Sequence, residues 1–173
     1  LFRSAFLLSR EPFKPMHVGN WVRGLYFKKL FPRHVAPTAR ILDTGCGNGR
    51  HSVALHAMFP GATIVGTDIK EFDDWKTFAN DKVSFHVSDA TKQNEPDAYD
   101  AVVSIDMIEH IPDNKRALAS FFHTLKPGGV LYLGVPCEST EHYFFPQYYF
   151  AEFREWEKGE HIGEQRTLPE LVA

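Results

Sequence analysis

Short apolar runs alternate with segments of helical periodicity from residue 40 onward. The apolar runs are rich in Val, Ile and aromatic residues, which is typical of strands that are buried on both faces of a sheet. Five such runs are predicted as strands: residues 40–44, 63–68, 83–88, 99–105 and 130–135. Repeated strand–helix–strand units predict an α/β fold in which a parallel sheet carries helices on both faces.

Helices are predicted in three of the segments between these strands. They cover residues 50–59, 71–79 and 113–125. The last has the clearest signals, since Asp113 can cap its N-terminus and Pro127-Gly128-Gly129 predicts its end. Its predicted buried face consists of Leu118, Phe121, Phe122 and Leu125.

Two flanking segments lack this alternation, so the chain is divided into residues 1–38, 39–136 and 137–173. The first contains a predicted helix at about residues 18–31, which either packs against the edge of the central part or forms a lid over a site. The last is strongly aromatic between residues 142 and 150. Thr167-Leu168-Pro169-Glu170 resembles a capping box with no helix behind it, so we expect a fragment of a longer domain.

Composition and charge narrow the classes of function. The chain has a net charge of −3, whereas most nucleic-acid-binding proteins carry an excess of basic residues. A nucleic-acid partner is therefore not expected. No apolar run approaches the roughly 20 residues of a membrane span. The two cysteines, Cys46 and Cys137, suggest no disulfide framework, and a reducing, cytoplasmic location is the default expectation.

A glycine-rich turn follows the first predicted strand and carries the strongest chemical signal. After Asp43, glycines stand at alternate positions, Gly45, Gly47 and Gly49, directly before a predicted helix. Strand, glycine turn and helix in this order let a backbone approach a nucleotide-like ligand, because a Cβ would block both the turn and the ligand. A dinucleotide fingerprint would require glycine at position 50, which is Arg50.

The alternating glycines resemble motif I of the class I S-adenosylmethionine-dependent methyltransferases. Four further segments are similar to motifs of that family in the same order: the second strand ending at Asp68, Ser88-Asp89-Ala90, residues 99–104 and residues 125–131. The resemblance covers about residues 39–136 and implies a Rossmann-like doubly wound sheet of order 3-2-1-4-5. The family's final antiparallel strand pair is not found in this chain. We therefore expect a partner chain, as in a homo-oligomer, or a truncated domain at the sheet edge.

The resemblance implies S-adenosylmethionine as the cofactor and suggests which residues contact it. They are Asp43, Gly45, Cys46, Gly47, Gly49, Asp68, Ile69, Asp89, Ala90, Ser104, Ile105 and Asp106. In such a site Asp68 would hold the ribose and Asp89 the adenine amine. Asp43 would orient the turn or the methionine amino group, or would merely cap the turn. Cys46 is expected to be a small turn residue, and Asp100 to cap the fourth strand without touching a ligand.

A general base is needed only if the methyl acceptor must lose a proton. The candidates outside the cofactor motifs are His17, His110, His142 and His161, of which His142, His161 and His110 are carried forward as catalytic candidates. Asp106, Glu109 and His110 could instead hold a divalent ion together with His142 or His161, an arrangement similar to that of some quinone-biosynthesis O-methyltransferases. The alternative, which we prefer, is a site without a metal, in which His110 is structural.

The aromatic segment after Pro136 lies where this fold places the cover of its acceptor site, which favours a small, partly apolar or aromatic acceptor. The same aromatics could pack on the sheet or on an oligomer partner. The other hypotheses are an RNA or protein methyltransferase and a catalytically silent domain that binds only cofactor or partner.

Overall fold

Five parallel strands form one sheet of order β3-β2-β1-β4-β5 in the computed structural model, which describes residue 24, residues 27–135 and residues 162–163. The strands are β1 (Arg40–Thr44), β2 (Thr63–Asp68), β3 (Val83–Val87), β4 (Tyr99–Ile105) and β5 (Leu125–Gly134). The predicted α/β class and strand order are confirmed. Since all strands are parallel, their carboxyl ends meet at one edge of the sheet.

The two faces of the sheet bury separate apolar clusters. One cluster is built on Ile41, Ile64 and Val103 and is covered by helix α1 (Arg50–Met58). The other is built on Leu42 and Val102 and is covered by helix α3 (Asn114–Thr124). Consecutive residues of β1 enter opposite clusters because side chains alternate across a strand.

The helix predicted at residues 71–79 is wrong in length. Only Trp75–Phe78, helix α2, is helical, and Asp74 at its start makes no capping hydrogen bond through its side chain. Asp73 and Asp74, directly before the helix, form a turn. The ring centroids of Phe72 and Trp75 lie 6.0 Å apart. The backbone becomes extended at Ala79, and the Asn80 side chain accepts hydrogen bonds from the N–H groups of Lys82 and Val83, so a turn into β3 replaces the predicted end of the helix.

Helix α3 confirms the predicted cap and corrects the predicted end. The Asp113 side chain accepts a hydrogen bond from the Arg116 backbone N–H at 3.1 Å. The helix ends at Thr124, before the Pro-Gly-Gly turn, and β5 begins at the next residue rather than at residue 130. Leu125 pairs with Tyr99, and the register shifts before Ala101, so the Pro-Gly-Gly stretch lies inside an irregular part of the strand.

Two of the strands are less buried than their apolar sequences predict. In β3 only Val83 is fully buried, and Val87 is 58% exposed. Residues 130–134 of β5 are half-buried. Both strands have one neighbouring strand in the described part of the sheet, so their outer sides lack the cover that β1 and β4 receive.

The end of the predicted N-terminal helix packs on the sheet. Residues 27–30 are helical and lead into a 3₁₀ turn at Phe31–Arg33. Phe27 and Phe31 are buried, and their rings lie 4.5 and 5.9 Å from the ring of Tyr132. Of the predicted helix before this point, only Gly24 is described, and it is helical. The other predicted residues lie outside the described residues, as does the segment that resembles a capping box.

No helix among the described residues is long and apolar enough to cross a membrane.

Candidate functional site

The glycine turn is tied to the carboxyl end of β2 by three backbone donors. The Thr67 carbonyl accepts hydrogen bonds from the N–H groups of Gly45 and Cys46, at 2.8 and 3.0 Å. The Gly47 N–H donates to the Asp68 carboxylate at 2.9 Å. The predicted strand-end carboxylate therefore lies directly beside the predicted turn.

All three glycines of the turn have positive φ, but their surroundings differ. A Cβ on Gly45 would collide with the Met107 side chain, and one on Gly49 would come within 2.7 Å of the Phe85 ring. A Cβ on Gly47 would meet no heavy atom of the described residues within 4 Å. Gly45 and Gly49 are thus required by packing inside the protein, whereas the face of Gly47 is open.

Asp43 is engaged by the helix that follows the turn. Its side chain is 2% exposed and accepts a hydrogen bond from Ser52 Oγ at 2.6 Å, while its other oxygen lies 3.2 Å from His51 Nδ1. The carboxylate thereby holds the first turn of α1 against the end of β1. Burial opposes the charged form of His51, but the Asp43 charge and hydrogen bond outweigh it and raise the pKa of the imidazole.

Cys46 has the properties of a packed turn residue. It is buried, and burial together with the charges of Asp43 and Asp68 raises the pKa of its thiol far above the usual range. A protonated thiol is a poor nucleophile. The expectation that Cys46 is a turn residue agrees with this environment.

The Asp89 carboxylate is bound by two residues that follow it closely in sequence, Thr91 and Lys92. One carboxylate oxygen accepts hydrogen bonds from the backbone N–H and the hydroxyl of Thr91, at 2.9 and 2.7 Å. The other lies 3.0 Å from the Lys92 ammonium. The hydrogen bonds from Thr91 are the main reason why the pKa of Asp89 is lowered to about 2. The group is therefore a carboxylate at neutral pH.

Three residues at the end of β4 lie in different environments. Ser104 is fully buried, and its hydroxyl has no hydrogen-bond partner among the described residues. Ile105 packs on the cluster that contains Ile41. Asp106 is exposed and has φ of +48°, an uncommon value for a residue other than glycine, and its N–H donates to the Gly134 carbonyl. Two further predicted contacts follow other strands: Ile69, after β2, is 74% exposed, and Ala90, after β3, packs against the cluster that contains Leu42.

The segment proposed as a metal site forms a 3₁₀ turn at Ile108–His110. Glu109 is 5% exposed and His110 is exposed. Within the described ranges, no three His, Cys, Asp or Glu side chains form a group that could hold a metal ion. His17, His142 and His161 lie outside those ranges.

Two residues of the site were missed in the sequence. The Trp75 indole N–H donates to the Gly47 carbonyl at 2.8 Å. The Gln93 amide donates to the hydroxyls of Thr44 and Thr67, at 3.3 and 3.1 Å, and so joins the ends of β1 and β2. Trp75 lies in a segment that was predicted as a helix, and Gln93 lies in the connection between the third and fourth predicted strands. Neither residue type gives a sequence signal of such partners.

Comparison with known proteins is consistent with this geometry. A family model described as a methyltransferase domain matches residues 22–168. The chain belongs to this methyltransferase family.

Two methyltransferases are similar to a large part of the chain. One is a ubiquinone biosynthesis O-methyltransferase of Xanthomonas campestris pv. campestris, 33% identical over 129 residues, which are 70% of this chain and 52% of that protein. The other is a trans-aconitate 2-methyltransferase of Deinococcus radiodurans, 32% identical over 100 residues, 58% of this chain and 39% of that protein. The chain spans about half the length of the curated relatives it matches, or less.

A solved structure supports the fold of this methyltransferase domain. Phosphoethanolamine N-methyltransferase 2 of Haemonchus contortus, in complex with phosphomonomethylethanolamine and S-adenosylhomocysteine, superposes with a TM-score of 0.65. It is 24% identical, and the match covers 89% of this chain and 36% of that one.

Proposed function

We propose that this chain is an S-adenosylmethionine-dependent methyltransferase acting on a small, partly apolar or aromatic acceptor. The observation that carries the proposal is the Gly47–Asp68 pair. An open backbone face with positive φ lies beside a strand-end carboxylate, and this is the combination that a nucleoside-containing ligand requires.

The residues present fit the cofactor. Asp68 is half-buried, and only one of its oxygens is committed to Gly47. The other receives a single long contact, 3.4 Å from the Lys70 N–H, and so retains capacity for ribose hydroxyls. Ile69 follows with a side chain that is 74% exposed, an apolar surface on which an adenine ring could pack.

We assign the remaining contacts by their place at the carboxyl edge. The Gly45–Gly47 backbone and Asp43 would lie next to the methionine portion, Asp89 and Ala90 next to the adenine, and residues 104–106 next to the sulfur. When bound, S-adenosylmethionine would supply an activated methyl group whose departure leaves a neutral thioether, so the protein need not provide an acid.

The chain's own contribution is then alignment. The turn is held by Thr67, Asp68 and α1 before any ligand arrives, and fixing two reactants in line can supply about 7–11 kcal/mol of the barrier. Proton removal, where an acceptor needs it, is proposed for His110, His142 or His161. Of these, His110 is exposed on the turn that follows β4, on the carboxyl side of the sheet.

Support for a small acceptor comes from the relatives and from charge. Names of similar proteins refer to ubiquinone biosynthesis and to trans-aconitate, both of which concern small molecules. The net charge of −3 disfavours a nucleic-acid substrate. The two cysteines without a disulfide pattern favour a cytoplasmic enzyme.

Titration calorimetry with S-adenosylhomocysteine tests the cofactor. We expect binding to the full chain and a dissociation constant raised at least about tenfold by Asp68→Asn, because the charge-assisted hydrogen bonds of the carboxylate are lost. Asp100→Asn is the matched control. Asp100 bonds to the Arg40 N–H and the Lys126 ammonium at the opposite edge of the sheet, so that change should leave affinity unaltered. Equal affinities for all three proteins would contradict the assigned ribose role.

The acceptor is tested separately with labelled S-adenosylmethionine and a panel of phenols, small carboxylic acids and amines, with RNA and protein as further candidates. Label in a small molecule supports the proposal. Label only in RNA or protein, or binding without any transfer, would replace it with a macromolecular substrate or a silent domain.

A further inference from the structure

The Gly47 peptide is held at both of its ends by residues distant in sequence. Its N–H donates to the Asp68 carboxylate at 2.9 Å, and its carbonyl accepts from the Trp75 indole at 2.8 Å. Asp68 is 21 positions away and Trp75 is 28 positions away. The end of β2 and the connection that follows it thus hold Gly47 from two directions.

Gly47 is the position at which such a grip has the largest effect. Glycine loses more conformational freedom on ordering than any other residue, and Gly47 has φ of +53° with no heavy atom of the described residues within 4 Å of a built Cβ. Packing therefore does not restrain its open side. The two hydrogen bonds are what fix the plane of its peptide groups.

The Trp75 side chain is buried and packs against a second aromatic ring. It is 6% exposed, and its ring stacks on Phe85 at 5.3 Å with an interplanar angle of 14°. Phe85 fills the space beside Gly49 and Gly66, where an added Cβ would come within 2.7 Å or less of its ring. Rotation of the indole away from Gly47 would therefore disturb its stacking on a ring that lies between Gly49 and Gly66.

A second link joins the same two segments. The Asn48 amide donates to the Asp74 carboxylate at 3.3 Å, one residue before Trp75 and one residue after Gly47. Two adjacent residues of one segment therefore hold two adjacent residues of the other.

We propose that Trp75 is a positioning residue for cofactor binding: its indole N–H sets the Gly47 carbonyl so that the turn and Asp68 present their ligand-facing groups already ordered. The inference rests on the proposed function, since the ligand is S-adenosylmethionine or its product. Trp75 acts through Gly47 and is not placed in contact with the ligand.

Trp75→Phe tests this role because it keeps an aromatic ring on Phe85 and removes the N–H. We expect the dissociation constant for S-adenosylhomocysteine to rise between about threefold and tenfold, the range for one lost hydrogen bond. Phe72→Leu is the control. The ring centroids of Phe72 and Trp75 lie 6.0 Å apart, so this replacement perturbs the same ring cluster but keeps the indole N–H, and affinity should stay within about twofold.

A merely structural tryptophan gives a different result. Trp75→Phe would then lower the thermal unfolding temperature without the ligand and leave the affinity of the folded protein unchanged, and that outcome overturns the inference. If Trp75→Phe does not fold, 3-benzothienylalanine at position 75 keeps the shape of the indole and lacks only the donor. Wild-type affinity in that protein also overturns it.

Failure of the proposed function is recognised separately. If the wild-type chain does not bind S-adenosylhomocysteine, the proposed function is wrong, whatever the variants do. The contact itself is then judged without ligand by hydrogen exchange of the Trp75 indole, assigned as the resonance absent from Trp75→Phe. Slow exchange agrees with the Gly47 bond, and exchange as fast as in free tryptophan contradicts it.

Discussion

Three carboxylates at the carboxyl edge of the sheet differ in what they bind within the protein. Asp43 is buried and fully used by Ser52 and His51. Asp89 is used by Thr91 and Lys92, of which Lys92 is exposed and displaceable. Asp68 alone among the three keeps an oxygen with only a long contact. Ligand recognition is therefore best tested at Asp68, and folding at Asp43.

The His51–Asp43 pair predicts a specific dependence of stability on pH. The pKa of His51 is raised in the folded protein above the ordinary value of 6.5, so its stabilisation is fully present below that value. It is lost as the pH rises through the higher folded pKa. We expect the free energy of unfolding of the wild type to fall over this interval.

His51→Asn is the comparison for that measurement. Asparagine retains an N–H donor near the position of Nδ1 and does not titrate. The difference in unfolding free energy between wild type and variant, measured by denaturant titration at several pH values, cancels the contributions of the other histidines. A difference that does not change between pH 5 and 9 would show that Asp43 does not favour the charged imidazole.

In helix α3 the hydrophobic periodicity predicts only part of the buried face. Its cap and the burial of Phe121 follow the sequence pattern, but Phe122 is 66% exposed. Adjacent residues on a helix are about 100° apart, so both cannot face the same core. The buried face includes Ala117, Ser120 and Thr124 instead, and small or polar residues at those positions carry little hydrophobic signal.

Substitution by alanine should have a large effect on stability at Phe121 and almost none at Phe122. Phe121→Ala should lower the free energy of unfolding by about 3–5 kcal/mol, since the side chain is fully buried in the cluster under α3. Phe122→Ala should change it by no more than about 0.5 kcal/mol. Chemical denaturation of both variants measures this, each serving as control for the other. A loss above about 2 kcal/mol in Phe122→Ala would mean that this face of α3 is covered.

The position of each strand in the sheet predicts how strongly its backbone amides are protected from hydrogen exchange. Strand β1 lies between β2 and β4, and Ile41 and Leu42 are fully buried. Strand β3 has one neighbouring strand in the described part of the chain, and its last two residues are exposed. We expect the amides of β1 to exchange only through global unfolding and those of β3 through smaller openings.

Native-state hydrogen exchange followed by NMR or mass spectrometry measures this order. The amides of β4, also an interior strand, provide the internal reference for slow exchange. Equal exchange free energies for β1 and β3 would mean that the sheet opens as a single unit.

Features that depend on neighbours in sequence were determined by the sequence alone. The five strands follow from short apolar runs, the turn from alternating glycines before a helix, and the cap of α3 from Asp113. The strand order followed from the resemblance of motifs over residues 39–136. These are local or family-wide regularities, and each is confirmed by the structure.

The tertiary structure decided which groups meet. Trp75 reaches Gly47 across 28 positions, and Gln93 reaches Thr44 across 49, through backbone and hydroxyl partners that have no sequence pattern. It also set the short length of α2 and the start of β5, where pairing of Leu125 with Tyr99 begins the strand before the Pro-Gly-Gly stretch. Hydrogen bonds between distant segments depend on how the chain folds in three dimensions, and local sequence does not specify that geometry.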